Sequence, residues 1–262
     1  MLLTRKNWWK FAITFVAGCL VILGIMGVLR MNNFINNTYS PTPKSASKVF
    51  VNEKDLKEFK LVKIISPSDN INFVPSDYYG LEICEPDYFD EPKWSVENGQ
   101  LEIQTHSNNS NFRLSNSEKV YINIYYPKNS SFENIFIDVS SGNINIHGTR
   151  VKKLKINLNS GNINAAISDC DEISAHNKSG NINIKNNSET PTTVNAETTS
   201  GNIEIYCNGD IADYSYNASA TVGSIIINGK QFDKLAKSSN QVNANSIVAK
   251  VVTGNITIDF KR

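Results

Sequence analysis

The stretch "SSGNINIHG" at residues 140–148 decides the fold of this chain, because the chain repeats it. The further copies are "NSGNINAAI" at 159–167, "KSGNINIKN" at 178–186, "TSGNIEIYC" at 199–207, "TVGSIIING" at 221–229 and "VTGNITIDF" at 252–260. The central glycines are 19, 19, 21, 22 and 31 residues apart. A repeat of about 20 residues is typical of solenoids, in which each repeat is one coil that stacks on the next.

The residues on both sides of each glycine alternate in polarity. Two and four residues after the glycine, eleven of the twelve positions are isoleucine, and Ala165 is the exception. The positions between them are mostly polar, as at Asn145. Apolar residues also stand seven, five and three residues before the glycine, as at Leu154, Ile156 and Leu158. Period-two alternation predicts strands with one buried and one wet face, so each repeat is a strand, a Ser-Gly corner, a strand and a return loop.

The glycine is predicted at a sharp corner, because glycine adopts positive φ at little steric cost. Asparagine follows it in five copies, and Ser224 replaces it in the sixth. If the coils stack in register, these amides form a hydrogen-bonded ladder along the stack. The predicted corner residues are Gly142, Gly161, Gly180, Gly201, Gly223 and Gly254, and the predicted ladder residues are Asn143, Asn162, Asn181, Asn202 and Asn255.

We therefore predict an all-β fold, a parallel β-solenoid (β-helix-like) of about 20-residue coils, with the regular repeats at 134–262. An antiparallel sandwich of hairpins with Ser-Gly turns has the same periodicity within each strand. The equal spacing of the first three glycines favours stacked coils over this alternative.

Residues 49–133 are predicted as less regular opening coils of the same domain. The stretch "WSVENGQLEIQT" at 94–105 predicts a hairpin that turns at Asn98-Gly99. The end coils of a solenoid need covering, so we expect residues 57–64 to cap one end and residues 256–262 to close the other.

The composition gives little indication of chemistry. The net charge of +1 provides no electrostatic case for nucleic acid as a partner. The cysteines show no spacing typical of zinc ligands, so Cys84, Cys170 and Cys207 are interpreted as buried or idle thiols, with one disulfide left open. His147 and His176 point outward by parity, and no nucleophile-elbow motif is present. We predict a protein that is not an enzyme, with no catalytic residues, no cofactor and no metal site.

Two acidic stretches are possible cation sites. One is "EPDYFDEP" at 85–92, and the other comprises Asp169, Asp171 and Glu172. Acidic residues in loops are usually hydrated, and we interpret both stretches as solvated turns.

An apolar run at residues 11–29 carries no charge and spans about 28 Å as a helix, close to the hydrocarbon thickness of a bilayer. Basic residues lie within 1–10, before the run. The positive-inside rule then predicts a single-pass protein of the cell membrane, with 1–10 in the cytoplasm, a transmembrane helix through the lipid bilayer at 11–29, and the C-terminal domain extracellular. Residues 30–48, rich in Pro, Ser, Thr and Asn, are predicted as a flexible tether to the domain at 49–262.

Two other interpretations of this segment compete with an anchor. A cleaved signal peptide requires a small-residue site near residue 30, which the sequence lacks. A lipoprotein signal is suggested by "VAGC", which ends at Cys19, but the apolar run continues for ten residues beyond it. An uncleaved anchor is favoured.

Several features in the same order carry a family resemblance over residues 50–262. They are an N-terminal apolar helix, a short tether, the "NGQLEI" hairpin, a strand that ends at Pro127, and serial "SGNI" strands. This arrangement resembles the bacterial DUF4097 family, which carries an adhesin label. The resemblance implies a right-handed β-solenoid on the cell envelope and no catalytic residues. The chain departs from the pattern at Gly223, which lacks the following asparagine, and in the 31-residue final interval.

Three functions follow as hypotheses. The first is a membrane-anchored adhesin or cell-envelope binding or structural module, with a cell-wall glycan or an envelope protein as partner. The second is a non-catalytic accessory or sensor in an envelope-stress response, a role that the resemblance implies, with Gly18, Gly24 and Gly27 available for helix contacts. The third is a glycan-active enzyme, which would need paired carboxylates in a groove.

Overall fold

The computed structural model of the chain describes residues 47–87, 89–105, 120–189, 192–239 and 245–261. The predicted transmembrane helix at 11–29 and all but the last two residues of the predicted tether at 30–48 lie outside these ranges. Within them, no helix is both long and apolar enough to cross a bilayer.

The described residues form an all-β domain with a single 3-10 turn at Ile211–Asp213. The strands are β1 (Ser47–Glu53), β2 (Leu61–Ser68), β3 (Asn70–Ser76), β4 (Gly80–Pro86), β5 (Lys93–Glu97), β6 (Gln100–Gln104), β7 (Tyr121–Pro127), β8 (Ser131–Ser141), β9 (Ile144–Ser160), β10 (Ile163–Ser168), β11 (Glu172–Ser179), β12 (Ile182–Asn186), β13 (Thr193–Ser200), β14 (Ile203–Asn208), β15 (Tyr214–Val222), β16 (Ile225–Ile227), β17 (Lys230–Phe232), β18 (Leu235–Ser238), β19 (Asn245–Thr253) and β20 (Ile256–Lys261).

Two stacks of parallel strands build the domain. Stack A contains the strands that enter each corner, in the order β6-β2-β8-β9-β11-β13-β19-β15. Stack B contains the strands that leave it, in the order β7-β3-β9-β10-β12-β14-β20-β16. The long strand β9 belongs to both stacks, because it runs from the exit of one corner to the entry of the next. Two layers thus face each other across one interior.

The interior is built from the isoleucines that the repeat places at matched parity. Ile163 pairs in register with Ile144 on one side and Ile182 on the other, and all three are fully buried. Complete burial of one such side chain stabilises a fold by about 1.5–3 kcal/mol. The predicted period-two pattern is confirmed, and it explains why a single coil would not be stable alone.

The order of the coils in space differs from their order along the chain at both ends. Strands β19 and β20 lie between β13/β14 and β15/β16, so the last copy of the phrase, at 252–260, is an interior coil. Likewise, β2 lies between β6 and β8, and β3 lies between β7 and β9. The predictions that residues 57–64 and 256–262 cap the ends are therefore wrong.

The sheet is mixed, which corrects the prediction of a purely parallel solenoid. Antiparallel strands lie at the ends: β17 pairs with β16, β18 with β15, β4 with β7 and β1, and β5 with β6. The β5–β6 pairing confirms the hairpin at 94–105, with Asn98 and Gly99 at positive φ. The physical reason lies in the edges, because a parallel stack ends in open hydrogen-bonding groups that hairpin strands cover. Strands β17 and β18 pair with one edge of the coil formed by β15 and β16. The chain that follows, β19 and β20, therefore pairs with the opposite edge of that coil.

Candidate functional site

The corner glycines lie one above another with almost no space between coils. A Cβ atom added to Gly161 would lie 1.7 Å from the carbonyl oxygen of Gly142, and one added to Gly180 would lie 1.8 Å from that of Gly161. Their φ angles are +131° and +122°, a region that L side chains rarely adopt. In space the column runs Asp69, Gly142, Gly161, Gly180, Gly201, Gly254, Gly223.

The residues after the corners are joined by hydrogen bonds from coil to coil. The backbone N–H of Asn162 donates to Oδ1 of Asn143 at 3.0 Å, and that of Asn181 donates to Oδ1 of Asn162 at 3.0 Å. The remaining bonds, of 2.9 to 3.0 Å, join Asn202 to Asn181, Asn255 to Asn202, Ser224 to Asn255 and Asn143 to Asn70. Asn70 was not predicted from the sequence, because the corner before it is formed by Asp69 instead of a glycine.

Removing one ladder amide should cost a measurable but small part of the stability. Asn181 is exposed, so water replaces much of its hydrogen bond to the Asn202 N–H. We expect Asn181→Ala to lower the free energy of unfolding by about 0.5–1.5 kcal/mol in urea titrations. Asn181→Asp retains an acceptor oxygen and is the matched control. An equal loss in both variants would contradict a role for the acceptor.

The outer face of stack B carries a second polar row. Nδ2 of Asn164 donates to Oδ1 of Asn145, Nδ2 of Asn145 donates to Oδ1 of Asn72, and Nδ2 of Asn72 donates to Oδ1 of Asn123, at 2.9 to 3.0 Å. The row ends at Glu82, whose carboxylate accepts from the hydroxyls of Tyr121 and Tyr125 at 2.8 Å each and from Asn123 at 3.2 Å. Burial raises the pKa of Glu82, but these hydrogen bonds outweigh it, and the net pKa is lowered.

The outer face of stack A holds an open groove of about 540 Å³. Four of its residues, Asn157, His176, Glu197 and Lys250, stand four residues before their corner glycines and are aligned across neighbouring strands. Nζ of Lys250 lies 2.9 Å from Oε1 of Glu197, and Nδ1 of His176 lies 3.6 Å from Oε2. This groove, defined by these four residues, is called groove A.

Beside groove A, Ser174 lies on the same face of β11 as His176, with its Oγ 3.0 Å from Nε2 of the histidine. Ser174, His176 and Glu197 are thus linked in the order hydroxyl, imidazole, carboxylate that a nucleophilic triad requires. However, β11 has strands on both sides, so its backbone N–H groups are engaged in the sheet and do not form an oxyanion hole.

The outer face of stack B holds a second groove, of about 570 Å³, near the corner-distal ends of β12, β14 and β20. Its centre is Tyr206, which is 37% exposed and lies in register between Lys185 and Asp259. Asn183 and Asn208 also line it. This groove, defined by these five residues, is called groove B.

Two carboxyl groups are buried together near the first coils. Asp69 is 1% exposed and Glu85 is fully buried, and Oδ1 of Asp69 and both carboxyl oxygens of Glu85 have no hydrogen-bond partner. Oδ2 of Asp69 accepts from the hydroxyls of Ser66 and Thr105. Burial raises the pKa of Asp69 to about 6, and burial together with the charge of Asp69 raises that of Glu85 to about 8. The interpretation of residue 85 as part of a solvated turn is therefore wrong.

The remaining reactive side chains are placed for packing or lie in solvent. Cys84, Cys170 and Cys207 are buried, and burial raises the pKa of the Cys170 and Cys207 thiols to about 12, so both stay protonated at neutral pH. His147 is exposed. Within the described ranges, no three His, Cys, Asp or Glu side chains are grouped to hold a metal ion.

Comparison with known proteins gives one family and several solved structures. The family model described as Toastrack DUF4097 matches residues 129–259, half of the chain. A "putative cell adhesion protein" from Clostridium sporogenes is 19% identical, with 82% of this chain and 100% of that chain covered and a TM-score of 0.45. A "putative adhesin" from Bacteroides fragilis is also 19% identical, with 84% and 99% covered and a TM-score of 0.41. A "Putative lipid binding protein" from Parabacteroides distasonis is 17% identical, with 84% and 98% covered and a TM-score of 0.34. No curated protein matches the sequence.

Proposed function

This chain belongs to the Toastrack DUF4097 family, and we propose that it is an adhesin-like binding module, anchored in the cell membrane by residues 11–29 and displayed outside the cell as a right-handed β-solenoid. Its partner in this proposal is a cell-wall glycan or an envelope protein, held on the outer faces of the stacked strands. The proposed mechanism is the display of a rigid, repetitive surface beyond the predicted tether.

One observation carries the proposal: outward side chains with the same offset from the corner line up across successive coils. Groove A contains the side chains that stand four residues before the corner glycines. Groove B is centred on the side chains that stand five residues after them. Parallel strands lie about 4.8 Å apart, so such rows present binding groups at a fixed spacing. The corner ladder holds each coil in register, so a ligand that spans several coils meets preorganised groups.

A non-catalytic role agrees with the chemistry of the outer faces. The backbone N–H groups of β11 beside Ser174 are engaged in the sheet, and the carboxyls of Asp69 and Glu85 are buried. The polar groups on the faces form rows across the strands, as in Asn164, Asn145 and Asn72.

The full-length chain in detergent, immobilised on beads, tests this function. We expect it to retain purified cell-wall material or an envelope protein above the level of blank beads, as measured by mass spectrometry and sugar analysis of the eluate. Retention of neither class would contradict a binding role.

The stress-sensor alternative rests on Gly18, Gly24 and Gly27 of the predicted transmembrane helix, small residues of the kind that let two helices pack closely. Replacing residues 1–30 with a cleavable secretion signal separates the two roles. An adhesin released in this way still binds its ligand, whereas a sensor loses its signal because the helix contact is gone.

A further inference from the structure

We infer that groove B is a carbohydrate subsite, which takes one neutral pyranose ring of an oligosaccharide against the ring of Tyr206. The inference rests on the proposed binding function and names the ligand class and the site within it. It concerns Asn183, Lys185, Tyr206, Asn208 and Asp259, which line the groove.

The central element is an aromatic ring on an otherwise polar face. Tyr206 is five residues after its corner glycine, a parity that points outward, and 37% of it is exposed. The ammonium of Lys185 lies over one face of the ring, with Nζ 5.8 Å from the centroid, and Asp259 is the register partner on the other side. A tyrosine held in this way offers an apolar ring and a hydroxyl at one place, the combination that suits a ligand with both C–H and O–H faces.

The polar groups around the ring match a ligand rich in hydroxyls. The amides of Asn183 and Asn208 both donate and accept, the carboxylate of Asp259 accepts, and the ammonium of Lys185 donates. The charge of Glu204, burial and the charge of Asp259 raise the pKa of the Tyr206 hydroxyl, which is hydrogen-bonded to Glu204. Each hydroxyl of a pyranose ring both donates and accepts hydrogen bonds. A groove that offers donors and acceptors side by side can pair with these hydroxyls.

The charges of the groove favour a neutral ligand. Lys185 and Lys261 line the groove with two positive charges and Asp259 with one negative charge, and Glu204, which lies near Tyr206 but outside the lining, adds a second negative charge. A strongly anionic ligand would meet the two carboxylates, and a cationic ligand would meet the two ammonium groups. A neutral hexose or N-acetylhexosamine meets neither penalty.

Groove A differs from groove B in having no tyrosine at its centre. The polar side chains of Glu197 and Lys250 pair with each other, and the exposed apolar residue there is Val252, an aliphatic side chain. The ring in groove A is the imidazole of His176, whose two nitrogens lie against Ser174 and Glu197, so groove A provides the control.

Titration of the full-length chain in detergent with chitotetraose and cellotetraose, measured by isothermal titration calorimetry, tests the site. We expect wild type to bind at least one of the two, Tyr206→Ala to weaken that binding about tenfold or more, and Tyr206→Phe to stay within about threefold of wild type, because the ring is kept. Val252→Ala in groove A should leave binding unchanged. Thermal midpoints of all variants are compared, and we expect no change for Tyr206→Ala because its side chain is at the surface.

The outcomes separate this inference from the proposed function. If the wild type retains cell-wall material or an envelope protein but binds neither tetrasaccharide, or binds one equally well as Tyr206→Ala, the subsite is wrong and the binding function stands. If wild type retains nothing at all, the proposed function fails, and the subsite fails with it. Weakening by Val252→Ala and not by Tyr206→Ala would transfer the site to groove A.

Discussion

Gly180→Ala should lower the free energy of unfolding by more than about 4 kcal/mol, a loss at the extreme of single substitutions. A Cβ atom at this corner would lie 1.8 Å from the carbonyl oxygen of Gly161, and the backbone φ of +122° disfavours any L side chain. The contacted atom is backbone of the neighbouring coil, which cannot move without breaking the hydrogen bonds from the Gly161 and Gly180 N–H groups to the next coil. Urea unfolding followed by circular dichroism measures the loss.

Gly148→Ala is the matched control for this prediction. Gly148 also has a positive φ, of +65°, but nothing lies within 4 Å of an added Cβ atom. The backbone strain alone should cost about 1 kcal/mol. If the two substitutions cost the same, the close approach of the coils at the corner is not a determinant of stability.

Glu85→Gln should stabilise the protein by about 2–3 kcal/mol at pH 7. Glu85 is fully buried, and its two carboxyl oxygens have no hydrogen-bond partner. Burial, and the nearby charge of Asp69, raise its pKa from the ordinary value of 4.5 to about 8. Glutamine removes the cost of ionising a buried acid while keeping nearly the same volume.

The sign of the pH dependence follows from the raised pKa. A carboxyl that holds its proton more tightly in the folded state contributes its full stability below the unfolded pKa of 4.5, and this contribution is lost as the pH rises toward 8. Wild type should therefore lose stability between about pH 5 and pH 8, and Glu85→Gln should lose less. Asp69, whose pKa is raised to about 6, adds a dependence of the same sign.

Thermal unfolding at pH 5, 7 and 8.5 tests both statements. Glu133→Gln, at an exposed position of β8, is the control and should leave the profile of wild type unchanged. A Glu85→Gln protein that is less stable than wild type at pH 8.5 would contradict the assignment of an unpaired buried acid.

The local architecture could be predicted from the sequence because it depends on parity and on glycine. The isoleucines at two and four residues after each corner fix which side of a strand is buried, and the glycines fix where the chain bends. The offset from the corner could also have identified both grooves. In groove A, His176, Glu197 and Lys250 each stand four residues before a corner glycine. In groove B, Lys185, Tyr206 and Asp259 each stand five residues after one.

The order of the coils could not be predicted, because every copy has the same buried face and pairs equally well with any other. Nothing in "GNITIDF" distinguishes a coil beside Gly201 from one beyond Gly223. The choice is made by the antiparallel strands β17 and β18, which occupy the outer edge of the Gly223 coil. The buried pair of Asp69 and Glu85 was missed for a different reason, since Glu85 opens the acidic stretch 85–92 and was interpreted as part of a solvated turn, whereas it lies in β4.

Paired cysteines test the stacking order directly. Glu204 and Thr257 are register partners on the adjacent strands β14 and β20, whereas Ile226 pairs with Thr257 from the other side. Glu204 and Ile226 are thus two strands apart, about 10 Å, which is too far for a disulfide. In the full-length chain under mild oxidation, Glu204→Cys with Thr257→Cys should form a bond in most molecules, and Glu204→Cys with Ile226→Cys should not, as measured by mass spectrometry of digested peptides. The reverse result, with residues 204 and 226 joined and 204 and 257 apart, would show that the coils stack in chain order and would contradict the fold described above.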